Sequence, residues 1–160
     1  MVAVRADVQV ACDHADVPST ESIQDWVEAA VAGAGTHEAA SVEVAVRVVG
    51  AGEMQALNSR YRKQDKATNV LSFEAGNLRG LPDNAPQVLG DVVVCAPVVA
   101  AEAAAQGKPL QDHWGHMLVH GTLHLLGFDH QSEAEAAEME ALETRILAGR
   151  EVADPYASRD

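Results

Sequence analysis

Val42-Glu43-Val44-Ala45-Val46-Arg47-Val48 carries a valine at every second position. Side chains on a strand alternate between faces, so these valines share one side and the segment reads as a half-buried strand. Upstream, Val2, Val4, Ala6, Val8 and Val10 repeat the alternation around Arg5, Asp7 and Gln9, which gives a second strand. Between the two, Ile23, Trp26, Val27, Ala30 and Val31 recur at helical spacing after Pro18, with Ser19 placed to cap the helix. Downstream, Gly50 to Gly52 reads as a turn and Glu53 to Arg62 as a short helix with Met54, Leu57 and Tyr61 on one face. Val70 to Phe73 and Leu89 to Cys95 are β-branched apolar runs, separated by a loop with Gly76, Gly80, Pro82, Asn84 and Pro86.

Pro97 suits the first turn of a helix that runs to Gln106, and Gly107 to Pro109 breaks it. Leu110 to Leu126 holds Trp114, Met117, Leu118, Leu125 and Leu126, as expected of a largely buried helix. Ser132 and Glu135 suggest a capping box for a last helix with Met139, Leu142 and Ile146 as its apolar stripe and Gly149 as its stop. The crowded acids Glu133, Glu135, Glu138, Glu140 and Glu143 read as its solvated side. This order predicts an α+β fold: a single domain over residues 1–150, with one four-stranded mixed sheet packed by five or six helices. Residues 151–160 lack periodicity and read as a disordered tail.

A chain of 160 residues, 48% hydrophobic and 22% charged, can close a core without disulfides or a structural metal. A metal site in such a chain is therefore expected to serve chemistry. Cys12 and Cys95 form no CxxC pair and read as small hydrophobes in a reducing compartment. The start of the chain lacks the apolar run of a signal peptide, and Val92 to Ala101 is interrupted by Pro97. A cytoplasmic protein with no membrane partner is expected. The net charge of −13 opposes polyanions in general, but Arg60, Arg62, Lys63 and Lys66 form a local basic cluster.

The most informative chemistry lies in His120-Gly-Thr-Leu-His124-Leu-Leu-Gly127-Phe-Asp129-His130. Residues four apart on a helix lie roughly 40° apart around its axis, so His120 and His124 can grip one ion. Gly127 can end the helix in the left-handed conformation, and the chain can then return His130 from another direction. Three imidazoles leave a fourth position of a tetrahedral ion open, as catalysis requires, and zinc is the ion expected, although nickel, cobalt or iron suit the same donors. His116 and His113 read as bystanders or as outer groups that orient the ligands, and His14 and His37 have no comparable setting.

Metzincin proteases place a glutamate base directly after the first histidine of HExxHxxGxxH, where this chain has Gly121. Peptide hydrolysis is therefore the weaker reading. A phosphodiester needs less: a Lewis-acidic ion and an arginine to neutralise charge at phosphorus, for which Arg62 is the best candidate. Asp129 could act as a base or orient an imidazole, or it could simply cap the turn. Arg60, Lys63 and Lys66 are candidates for phosphate contacts in RNA binding.

His116-Met-Leu-Val-His-Gly-Thr-Leu-His-Leu-Leu-Gly-Phe-Asp-His130 resembles the signature of the YbeY family of endoribonucleases. Leu57-Asn58 through Tyr61-Arg62, Asp65 to Phe73, Leu89 to Val92, and Met139-Glu140 with Glu143 are similar to further family segments. The resemblance implies that His120, His124 and His130 are zinc ligands and that Arg62 is the functional arginine of an RNA cleft, with Thr68 and Ser72 nearby. It also implies a single-strand-specific endoribonuclease that matures the 3′ end of small-subunit (16S-type) ribosomal RNA and serves ribosome quality control, with the small subunit as partner. Phe128 stands where a tyrosine is common, and Glu74 where a proline is common. A competing reading is a non-catalytic ribosome assembly factor with a structural zinc, which chelation would unfold.

Overall fold

The computed structural model describes residues 3–35, 41–75, 85–129 and 131–156. The expected strands form as β1 (Ala3–Val10), β2 (Ser41–Val49), β3 (Val70–Glu74) and β4 (Gln87–Cys95). The helices among the described residues are α1 (Thr20–Ala34), α2 (Ala51–Arg62), α3 (Ala96–Gln106), α4 (Leu110–Leu125) and α5 (Glu133–Ala148). One sheet has the order β1-β2-β4-β3. The pairs β1 with β2 and β2 with β4 are parallel, while β3 runs antiparallel at the edge, so the sheet is mixed as expected.

The alternation in β2 does what its spacing requires. Val42, Val44, Val46 and Val48 are all but fully buried, together with Val92 and Val94 of β4, beneath α1 and α4. Helix α1 contributes the five apolar residues read from its spacing, and the Ser19 hydroxyl accepts the Ser22 N–H at 3.1 Å to cap it. Helix α5 closes this layer with Met139, Leu142, Ile146 and Leu147. A smaller cluster of Val49, Met54, Leu71, Val93 and Cys95 lies on the other face.

Two local readings change. The turn expected at Gly50 to Gly52 is absorbed into α2, with Gly50 as its N-cap. The buried face of α2 carries Met54 and Asn58, whereas Tyr61 is 56% exposed. Asn58 Nδ2 donates to the Lys66 carbonyl at 2.9 Å and so anchors the following loop, which draws that side of the helix inward. Gly149 ends α5 as read, as a right-handed C-cap, and Glu151 takes the positive φ of 63° in the turn that follows. Gly76, Gly80, Pro82 and Asn84 of the expected loop lie outside the described residues. Within the described part of the tail, Val152 packs into the main core and Tyr156 returns to α5.

Candidate active site

The site is set by how closely α4 approaches the sheet. Ser72 Oγ on the edge strand β3 donates to the Gly121 carbonyl at 2.8 Å. A Cβ at Gly121 would stand 2.7 Å from Val92 Cγ1, 3.2 Å from Val70 Cγ2 and 3.3 Å from Ser72 Oγ. Valine is stiff at χ1, so nothing there can swing aside. The position that carries the glutamate base in a metzincin is therefore packed solid in this chain.

With Gly121 against the sheet, His120 and His124 flank it. Both line a cleft of about 580 Å³ with Arg62, Asn69, Ser72, Glu74 and Asp129. After α4, Gly127 adopts φ 99° and Phe128 N–H donates to the Leu123 carbonyl at 3.1 Å, which closes the helix and sends the chain back to Asp129 beside the cleft. His130 and His37 lie outside the described residues.

The polar network behind the cleft assigns the histidine tautomers. Glu143 on α5 is fully buried, so its carboxylate needs partners. Its Oε2 lies 2.8 Å from His116 Nε2 and 3.3 Å from His120 Nδ1, and its Oε1 accepts the Tyr156 hydroxyl at 3.0 Å. A carboxylate only accepts, so each imidazole nitrogen facing it carries the proton. In His116 the buried Nδ1 has no partner, which an unprotonated lone pair tolerates better than an N–H would. In His120 the proton on Nδ1 leaves Nε2 as a lone pair, and Nε2 faces His124 Nε2 across 3.2 Å.

Two imidazole nitrogens on a tetrahedral ion with bonds of 2.0–2.1 Å stand about 3.3 Å apart, so the His120–His124 pair has the spacing of two ligands. A buried carboxylate on the opposite nitrogen is the usual companion of a ligating histidine. The residues present therefore fit a metal ion. His116, His120 and Glu143 form a second grouping that could also hold one, with ligand atoms within 4.8 Å of one another. That grouping is already joined by the hydrogen bonds above.

Burial opposes ionisation of Glu143, but hydrogen bonds from His116 and His120, with their charge interactions, outweigh it and hold the carboxyl at about 2. One turn earlier on α4, His113 Nε2 lies 2.9 Å from Glu102 Oε1, and Glu102 also accepts from Asn69 Nδ2 at 3.1 Å. Asn69 thus joins a cleft wall to α3.

Helix α2 ends at Lys63, whose left-handed backbone caps it. Its last residue, Arg62, is exposed and reaches the cleft. Arg60 instead lies over the Tyr61 ring, 5.3 Å from its centroid. Arg60, Lys63, Lys66 and Thr68 are not among the residues that line the cleft.

The family profile described as Endoribonuclease YbeY matches residues 8–151. The chain belongs to this family. The Endoribonuclease YbeY of Halorhodospira halophila is 52% identical over 157 residues, covering 96% of this chain and 99% of the relative. That of Psychromonas ingrahamii is 46% identical over 153 residues, covering 95% of each. The solution structure of a Thermotoga maritima protein shares the fold at a TM-score of 0.52 and 21% identity, covering 99% of this chain and 100% of that one. Membership of the YbeY family places the chain among enzymes, the hydrolytic endoribonucleases. No helix of the described residues is long and apolar enough to cross a membrane.

Two partners of the site have no role in the sequence reading, although Glu143 falls in a segment similar to the family's. Glu143 is not part of a solvated acidic face: it lies on the apolar stripe, four residues after Met139 and three before Ile146. An acid at that register, opposite a helix with a histidine every four residues, was the available signal. Tyr156 gave none, because no local period connects it to Glu143.

Proposed function

We propose that this chain is a zinc-dependent, single-strand-specific endoribonuclease whose ion is held by His120, His124 and His130. The observation that carries the reading is the pair of Nε2 atoms 3.2 Å apart at the wall of a cleft that also contains Arg62. When bound, the ion would supply a Lewis acid for a phosphoryl oxygen. Arg62 stands on an exposed helix end beside the cleft, and its guanidinium would neutralise charge developing at phosphorus. Asp129 lies on the same wall and would serve as a proton acceptor or orient a ligand. Arg60, Lys63 and Lys66 would contact phosphates farther along the strand, outside the cleft itself. Binding through these cations should weaken steeply with salt, and Glu74 in the cleft lowers the affinity further by opposing the substrate charge.

The packed environment of Gly121 supports this reading over a protease, because the position of the base has no room for a side chain. Family membership supports RNA as substrate. By the same resemblance the natural substrate is the 3′ end of small-subunit ribosomal RNA, cut in the cytoplasm in the course of ribosome maturation and quality control.

Cleavage of a labelled single-stranded RNA tests the proposal, with Arg62→Ala and His124→Ala compared for folding and metal content. Wild type should cut, and Arg62→Ala should keep its fold and metal but lose about 100- to 1,000-fold in rate, the usual cost of one charge-stabilising donor. Equal cutting by all three proteins would contradict it.

A further inference from the structure

We infer that Tyr156, in the segment after α5, is a positioning residue for the metal site: its hydroxyl holds Glu143, and Glu143 in turn fixes the ring of His120. The inference rests on the reading of His120 and His124 as ligands.

The tail delivers the tyrosine by several contacts of its own. Val152 N–H donates to the Leu147 carbonyl at 3.0 Å, and the Val152 side chain enters the core. Asp154 Oδ1 accepts the Tyr156 N–H at 2.8 Å and the Thr144 hydroxyl at 3.3 Å. The Tyr156 ring then stands edge-on to His116, with centroids 5.4 Å apart and planes at 86°. With Met139 and Ala136 it lines a small cavity of about 320 Å³ behind His120.

The division of acceptors on Glu143 gives this contact its consequence. Oε1 takes the tyrosine proton, so Oε2 is left to His116 and His120. Three donors from α4 and the tail leave the carboxylate no freedom to swivel. Without the hydroxyl, Oε1 becomes an unsatisfied buried acceptor, and the carboxylate gains by turning it toward a histidine N–H. His120 Nδ1, already the longest of the three contacts, is the one to loosen. As it loosens, the tautomer with a proton on Nε2 gains population, and that proton occupies the lone pair aimed at the ion. Outer partners of this kind typically change metal affinity by about 10- to 100-fold.

Tyr156→Phe keeps the ring and removes only the hydroxyl, and Glu143→Gln removes the charge. Zinc affinity of the full chain is measured by competition with a chromophoric chelator. The His120 tautomer is read from its imidazole nitrogen shifts in the metal-free protein, a signal that a purely structural role would leave unmoved. Tyr156→Phe should bind zinc about 10-fold more weakly and Glu143→Gln up to about 100-fold more weakly, both with a mixed His120 tautomer where wild type has Nδ1–H alone. Wild-type affinity and an unchanged tautomer in Tyr156→Phe would overturn the inference. A wild-type chain that binds no zinc would instead overturn the ligand reading, and the tautomer of the metal-free variants would still decide the role of Tyr156.

Discussion

Helix α4 turns its histidines onto two carboxylates, Glu102 and Glu143, and the same chemical groups serve different uses in the two places. His113 bonds Glu102, whose side chain is 33% exposed, and the pair ties α4 to α3 and, through Asn69, to the start of β3. His120 bonds Glu143, whose side chain is 1% exposed and is shared with His116 and Tyr156. The free end of each ring separates them. His113 Nδ1 ends in the core without a partner, whereas His120 Nε2 emerges at the cleft facing His124. A carboxylate behind a histidine is therefore a device for aiming the other nitrogen, and only a ring that reaches the cleft turns the aim into chemistry.

The comparison breaks most visibly when each histidine is removed. His120→Ala should abolish RNA cleavage and zinc binding, exceeding the roughly 100-fold upper range for outer partners. His113→Ala should leave activity per folded molecule within a few-fold while lowering thermal stability. Parallel cleavage and melting measurements check both, and a His113→Ala loss as deep as that of His120→Ala would erase the distinction.

A smaller effect is expected where α4 meets the sheet between His120 and His124. Gly121→Ala puts a methyl group into space held by Val92 and should cost about 1–3 kcal/mol, the usual range for overpacking. Denaturant unfolding measures it. An unchanged midpoint would mean that α4 does not need this close approach to set its two histidines.

The smallest effect concerns pH. Burial pushes His113 below its ordinary range, and Glu102 offsets this only in part. The folded state thus binds its proton later than the unfolded chain does. This contribution to stability is whole above the unfolded value of about 6.5 and declines as pH falls from there through the lower folded value. His113→Phe should therefore flatten the loss of melting temperature below neutral pH. Parallel slopes in the two proteins would remove His113 from the account.

Sequence pattern and structure agree where the controlling interactions are periodic. The valines of β2 and the apolar stripe of α1 follow from spacing alone, and the Ser19 cap from its chemistry. The His120 and His124 pair was legible because four residues make about one helical turn. What the sequence hid depends on contacts between distant segments. Asn58 displaced Tyr61 from the buried face of α2 by bonding the loop at Lys66, and no pattern within the helix announces that. Glu143 passed for one more acid among Glu138 and Glu140, and its burial is decided by α4 opposite it. Tyr156 reaches its partner through the turn at Glu151, beyond any local period.

Zinc titration of the metal-free chain and of His116→Ala, His120→Ala, His124→Ala and His130→Ala tests the central claim most directly. Wild type should take up one ion per chain; the site should vanish in each of the last three variants and persist, weakened, in His116→Ala. A site that survives His124→Ala and His130→Ala but disappears with His116→Ala would contradict the account and move the ion to the His116, His120 and Glu143 group.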